Sequence, residues 1–193
     1  MEIALDKIYT FADYLTWFDD TRRELIDGFV KLFPAPNYQH ADVSKNIVKS
    51  FINSDIEKKS NLRVYYAPVD VVLSDDKNVK ELKDTEIKTV VQPDIFICTV
   101  DQLFKGRCYG APILIIEILS KSNKKHEWVT KFFLYERNKV QEYWIVDTAA
   151  KSINVFHYED DKFSNGEEYE IDEEFKIKCL GDFPVKVSDV FKF

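Results

Sequence analysis

The sequence predicts an α/β fold, a mixed β-sheet flanked by helices. Three observations lead there. "QPDIFIC" (92–98) and "PILIIEILS" (112–120) are apolar runs of strand length. "SKSNKKHEWVTKFFLYERNK" (120–139) is helical in pattern and separates the second run from another strand, "VQEYWIVD" (140–147). Strand, helix, strand is the crossover that joins parallel strands. The chain has only five glycines, and neither GxGxxG nor GxxxxGK[ST] occurs. A nucleotide-binding fold built on those phosphate-cradling loops is therefore not expected.

The elements follow in order. "TFADYLTWFDD" (10–20) sets Phe11, Tyr14, Leu15 and Phe18 at helical spacing behind Thr10 as N-cap. "ELIDGFVKLF" (24–33) holds Asp27-Gly28 between two short strands, a type I′ hairpin pattern. "HADVSKNIVKSFINSDIEKK" (40–59) reads as an amphipathic helix, with Val43, Ile47 and Phe51 on one stripe and Val48, Ile52 and Ile56 on the next. "RVYYAPVDVVL" (63–73) reads as a strand in which Pro68 marks a bend or an edge. The polar stretch 74–88 is a loop, 90–98 a strand, and "KGRCYGAP" (105–112) a second loop. "ILIIEIL" (113–119) is apolar enough for a central strand covered on both faces. The helix within 120–139 turns Trp128, Phe132 and Tyr135 to the core, and "SINVFHY" (152–158) follows 140–147 through a hairpin-length link.

Composition sets bounds. The length of 193 residues fits one domain, with a core over about 10–160 and acidic peripheral strands over 159–193. Apolar residues make up 45% of the chain, which suits a packed core and not a disordered chain. No apolar run is long enough to span a membrane. The start lacks the pattern of a secretory signal, and three scattered cysteines without CxxC fit neither zinc nor a disulfide framework. A reducing, cytoplasmic setting is expected. The net charge of −7 counts against nucleic acid at first sight. Yet Glu159–Glu174 alone carries nine acids and one lysine, so the rest of the chain is close to neutral. The stretch Lys121–Lys139 holds six Lys or Arg against two Glu; it is either a phosphate-facing segment or a solvated helix face.

Asp94 and Glu117 stand inside the two apolar runs. An ionised carboxylate there costs several kcal/mol unless it is paired or bound to a cation. Mg²⁺ (or Mn²⁺), held by both acids and a backbone carbonyl such as that of Ile118, would explain both residues and would activate a water against a phosphodiester. The plainer alternatives remain open: Asp94 caps a turn after Pro93, and Glu117 pairs with a helix lysine.

These residues carry a resemblance. Pro93-Asp94, Glu117-Ile118-Leu119-Ser120, Glu127, Lys131, Tyr135 and Glu142-Tyr143-Trp144-Ile145-Val146-Asp147, after the "ELIDG" hairpin and His40, resemble the Uma2 family of restriction endonucleases. That family is a bacterial branch of the PD-(D/E)XK nuclease superfamily. The resemblance spans about residues 10–160. It implies a restriction-endonuclease-like core, Asp94 and Glu117 as metal-binding acids, and DNA as substrate. The superfamily's Glu-x-Lys would set a lysine at position 119, where this chain has Leu119, so Lys131 on the following helix takes that role. Two smaller departures are Glu127, where the family often has Asp, and Lys139, where it usually has Gly. Glu24 and His40 match the N-terminal positions as a further ligand or base and as a phosphate or proton carrier.

Each role has a structural counterpart: a surface pair with Glu127 for Lys131, a strand-end pair for Glu24, a helix start for His40. Asp70 is a further strand acid, and Lys105 and Arg107 are candidates to meet phosphates. Ser120 reads as a turn residue, His126 and His157 as surface or satisfied residues, and Tyr143 and Trp144 as core rather than base-stacking platforms. Duplex cutting would favour a homodimer. The competing expectation is a nuclease fold without catalysis, serving as a binding or dimerisation module.

Overall fold

The structure is a computed structural model. It describes residues 7–19, 21–54, 56–59, 61–75, 78–119 and 125–192, the side chains of 58, 59 and 125–127 excepted. Helix α1 (Phe11–Tyr14) leads to strands β1 (Arg23–Ile26) and β2 (Phe29–Leu32), then helices α2 (Tyr38–Ile52) and α3 (Ile56–Lys59). Strands β3 (Leu62–Tyr66), β4 (Val71–Leu73), β5 (Thr89–Val91), β6 (Ile95–Thr99), β7 (Leu103–Phe104), β8 (Arg107–Tyr109) and β9 (Leu114–Leu119) come next. Helix α4 (Lys125–Arg137) precedes β10 (Glu142–Asp147), β11 (Ser152–Glu159), β12 (Lys162–Phe163) and β13 (Glu167–Tyr169). The hairpin of β14 (Glu174–Ile177) and β15 (Phe183–Lys186) and helix α5 (Val187–Val190) complete the chain.

The strands form two large sheets. One runs β2-β1-β5-β4-β8-β7; the other runs β12-β11-β10-β9-β6-β3, with β13 also on β11. Strand β9 is central, parallel to β10 and antiparallel to β6. The parallel β9–α4–β10 unit is the crossover that the periodicity predicts.

Two single strands of the sequence reading are in fact broken. Residues 63–73 divide into β3 and β4, which belong to different sheets, with a cis Ala67–Pro68 peptide between them. Residues 90–98 divide likewise into β5 and β6, and Pro93-Asp94 sits at the passage from one sheet to the other. Apolar content does not distinguish one long strand from two short ones in facing sheets.

Alternation along β9 sorts the core. Leu114, Ile116 and Ile118 face α2, α5 and the β14–β15 hairpin, together with Val43, Ile47, Phe51 and Trp144. Ile115 faces the other way, into the layer shared with α4 and the first sheet, beside Phe96, Leu134, Tyr135 and Tyr143. A third cluster, including Tyr9, Phe11, Leu25 and Val90, covers the outer face of the first sheet.

Helix ends differ from the sequence reading. Thr10 caps α1 through a capping box with Asp13, as expected, but α1 is only four residues long. Trp17 folds back onto Tyr9 and Tyr14, and Phe18 is left 92% exposed. Helix α2 begins at Tyr38 because Asn37 accepts the His40 N–H, and it stops before Ile56, which belongs to α3. At the β1–β2 turn Asp27 and Gly28 both have positive φ (53° and 86°), the conformation of a type I′ hairpin. A Cβ at Gly28 would lie 2.6 Å from Ile8 Cγ2, so only glycine fits.

Candidate active site

Asp94 is buried at the passage between the two sheets. Its Oδ2 accepts the backbone N–H of Ile118 (2.9 Å) and meets His40 Nε2 of α2 at 3.0 Å. Its Oδ1 accepts from Arg22 Nη2 (3.1 Å), which also donates to the Gln92 carbonyl. Burial alone would raise the Asp94 pKa. The His40, Ile118 and Arg22 donors outweigh it and hold the carboxyl below its ordinary value.

Glu117 lies on the face of β9 opposite Ile116 and Ile118, and so points toward α4. There Lys131 and Tyr135, one helical turn apart, both donate to its Oε1, at 2.8 and 2.7 Å. The Lys131 ammonium also donates to Glu24 Oε1 on β1 (2.8 Å), which accepts the Gln92 N–H at 2.9 Å. One ammonium thus ties a strand of each sheet to the helix. Burial pushes Glu117 up to about 7, opposed by Lys131 and reinforced by the Asp94 and Glu24 charges. Burial works against the charge of Lys131, but Glu117 and Glu24 overcome it and raise its pKa. Tyr135 is raised well above its ordinary value by burial and by Glu117, so its hydroxyl stays a donor.

Asp94, Glu117, His40 and Lys131 line one cleft, and Glu24 joins them from behind through the Lys131 ammonium. Glu117 pairs with a helix lysine, as the plainer alternative had it, and that lysine is Lys131. Lys131 is buried and is no surface residue; the Glu127 side chain, its suggested partner, lies outside the described residues. Asp94 does not merely cap a turn, since it reaches β9 and α2. His40 is bonded to Asp94, and Glu24 to Lys131. At Ile118 the N–H is bonded to Asp94.

Asp70 belongs to a separate group with Tyr14, Gln92 and Arg107. Its ion pair occupies the Arg107 guanidinium that was a candidate for phosphate. His157 is buried 3.5 Å from Glu142, and Trp144 is core, its indole bonded to Glu142. Ser120 and the His126 side chain lie outside the described residues.

Three site residues had no catalytic or binding role from the sequence: Arg22, and Tyr135 and Tyr143, which were read only as core. Tyr135 is part of the "K…Y" spacing four residues after Lys131, which signals a shared helix face. Arg22 carried no signal beyond its place before the hairpin. Tyr143 packs in the core as expected, yet its buried hydroxyl has no partner among the described residues. It lines a small cavity of about 40 Å³ together with Asp94, Glu117, Ile118 and Lys131.

Among the described residues no three His, Cys, Asp or Glu side chains form a ready metal cluster. The donor chemistry still fits a hard divalent cation. Mg²⁺ characteristically takes one or two carboxylates and completes its shell with water and substrate phosphate. Asp94 and Glu117 are two such carboxylates lining one cavity, and Glu24 Oε2, behind Lys131, is buried without a partner among the described residues.

No curated protein matches the chain. A family profile described as "Putative restriction endonuclease", Uma2, matches residues 11–183. The chain belongs to the Uma2 family. A crystal structure from Anabaena variabilis, described as that of "a putative nuclease belonging to DUF820", superposes with a TM-score of 0.73. The match covers 94% of this chain and 97% of that one at 18% identity, a likeness of fold. The Uma2 chain thus has a restriction-endonuclease-like fold, as its sequence resemblance implied, and its family is one of nucleases.

Proposed function

We propose that this Uma2 protein is a Mg²⁺- or Mn²⁺-dependent endonuclease that hydrolyses DNA phosphodiester bonds. The observation that supports this best is the buried Lys131 ammonium between Glu117 and Glu24, in the layer that also holds Asp94. Asp94, Glu117 and the Ile118 carbonyl would hold the metal. Such a metal would lower the pKa of its bound water and neutralise negative charge on a phosphate oxygen.

The chain's own groups have distinct tasks. Lys131 stays charged, so it serves as an electrostatic group that steadies negative charge on the phosphorane-like transition state, not as a base. Glu24, whose Oε2 is buried without a partner among the described residues, would accept the proton of the attacking water. Tyr135 orients Glu117, and His40 with Arg22 orients Asp94. Water attacks phosphorus, the opposite P–O bond breaks, and the departing oxygen takes a proton from solvent.

The test is cleavage of plasmid and linear DNA with Mg²⁺ or Mn²⁺, comparing wild type with Glu117→Gln. Metal-dependent cutting that disappears in the variant is the expected result. Turnover retained in Glu117→Gln would sink the assignment. One observation favours the catalytically silent module: both Asp94 oxygens already accept protein donors. Calorimetric titration with Mn²⁺ separates the two readings, since the silent module would take up no metal.

A further inference from the structure

A larger groove, of about 920 Å³, opens on the far side of Asp94. Arg22, Pro36, His40 and Asp94 line both it and the carboxylate cavity, so the two are continuous. Its long wall is the outward face of α2: Ala41, Ser44, Lys45, Val48, Lys49 and Ile52, at the spacing of one helical face. Tyr66 and the Ala67–Pro68 peptide form the opposite side. Ile52 and Tyr66 are 60% and 58% exposed, large apolar side chains left in solvent along a groove that ends at the candidate catalytic centre. Such surface is characteristic of a binding site.

We propose that this groove binds an unpaired nucleic-acid strand, so that the scissile phosphate lies next to a single-stranded stretch such as a flap, an overhang or an opened loop. The proposal rests on the nuclease reading and specifies its substrate class. The wall offers two things at once. Lys45 and Lys49, one turn apart, supply positive charge, Lys45 also pairing with Asp42 on its own helix, while the Arg22 guanidinium at the cleft end is already paired with Asp94. The two acids in the wall are already bonded to arginines, Asp19 to Arg23 and Asp94 to Arg22. Between the cations lie Val48, Ile52, Tyr66 and Pro68, an apolar floor.

A polymer that carries an anion and a flat apolar face on each unit matches this alternation. Proteins that bind single strands combine a cationic track with aromatic platforms for the bases. A duplex keeps its base faces inside the stack and shows only edges and phosphates, so it would leave the floor uncovered. The volume suits a ligand of a few nucleotides at most, being within the roughly 300–1,000 Å³ of ordinary ligand sites.

The experiment compares the full chain with Ser44→Trp, which fills the groove, and with Lys45→Glu/Lys49→Glu, which reverses its rim. The probes are a fluorescein-labelled oligothymidylate and a duplex of equal length, with Ca²⁺ replacing Mg²⁺ during binding. The wild type is expected to bind the single strand more tightly. Ser44→Trp should lose about tenfold of that affinity, the effect of one stacked base. The double variant should lose more and show a shallower salt dependence. Thermal melts confirm that each variant is folded, and Mn²⁺ binding should be unchanged in both.

Unchanged single-strand affinity in both folded variants overturns the groove proposal while DNA cleavage by the wild type keeps the nuclease reading. A wild type that binds neither probe and cuts nothing overturns both. If Ser44→Trp instead turns a dimer into a monomer in sedimentation and leaves strand affinity intact, the occupant is a second copy and the proposal is wrong.

Discussion

Glu117 is the side chain on which the proposed chemistry most depends. Its ordinary carboxyl value is 4.5, and the fold raises it to about 7 through burial. The folded state therefore holds the proton more tightly than the unfolded chain does. Stability from this group is full below about pH 4.5 and is lost as pH rises toward 7. In EDTA, Glu117→Gln should flatten that decline, read as a smaller drop in urea midpoint between pH 5 and pH 7. Asp94 is shifted the other way, so its stabilising effect is lost only as pH falls below its ordinary range and leaves this window clear. Removing Lys131 has the opposite consequence to removing Glu117. Lys131→Met strands two buried carboxylates and should cost about 3–5 kcal/mol in urea denaturation at pH 8, besides abolishing cleavage. Asp94 and Glu117 were legible as candidates because each interrupts an apolar run, while Lys131, Glu24 and His40 were candidates only through the family resemblance. Arg22 was not, since a guanidinium before a hairpin is ordinary until the fold brings it to Asp94 from 72 positions away. The vacant Tyr143 hydroxyl was hidden for a related reason: sequence shows that a tyrosine is apolar enough for the core, but not where its oxygen ends.

At the scale of elements, α2 links folding to the site. Asn37 caps it by accepting the N–H of His40, the residue whose ring meets Asp94. Asn37→Ala should cost about 1 kcal/mol of stability, seen as a lower urea midpoint. The loosened first turn should also weaken Mn²⁺ binding, by calorimetry, while Trp144→Ala should cost about 3–5 kcal/mol by emptying the opposite core. Strand β9, helix α4 and strand β10 were readable with nearly correct limits because length, periodicity and flanking polar residues agree there. The broken strands at 63–73 and 90–98 were not. Both faces of the sheets are covered, so the hydrophobic pattern runs on across a point where hydrogen-bond partners change. The prolines marked the places, Pro68 and Pro93, and their meaning as changes of sheet came only from the pairing.

For the whole molecule, charge and metal act together. If, as proposed, a metal binds at Asp94 and Glu117, it must displace the Glu117 proton near neutral pH, so Mn²⁺ affinity should fall as pH drops below about 7, with proton release in buffers of different ionisation enthalpy. The acidic stretch Glu159–Glu174 carries the molecule's excess negative charge on peripheral strands, and β11, which leads into it, lies beyond β10 from β9. Long-range repulsion of a polyanion is thereby concentrated in one part of the chain, and if the α2 cations make the proposed contact, DNA binding should weaken with added salt. The Lys131 ammonium touches a carboxylate on each sheet. If that contact is what couples the sheets, their amides do not open independently. Deuterium exchange should then report β1, β9 and α4 as one cooperative unit in the wild type. In Lys131→Met, β1 should begin to exchange ahead of β9, so that loss of that ammonium is visible as a loss of mechanical unity.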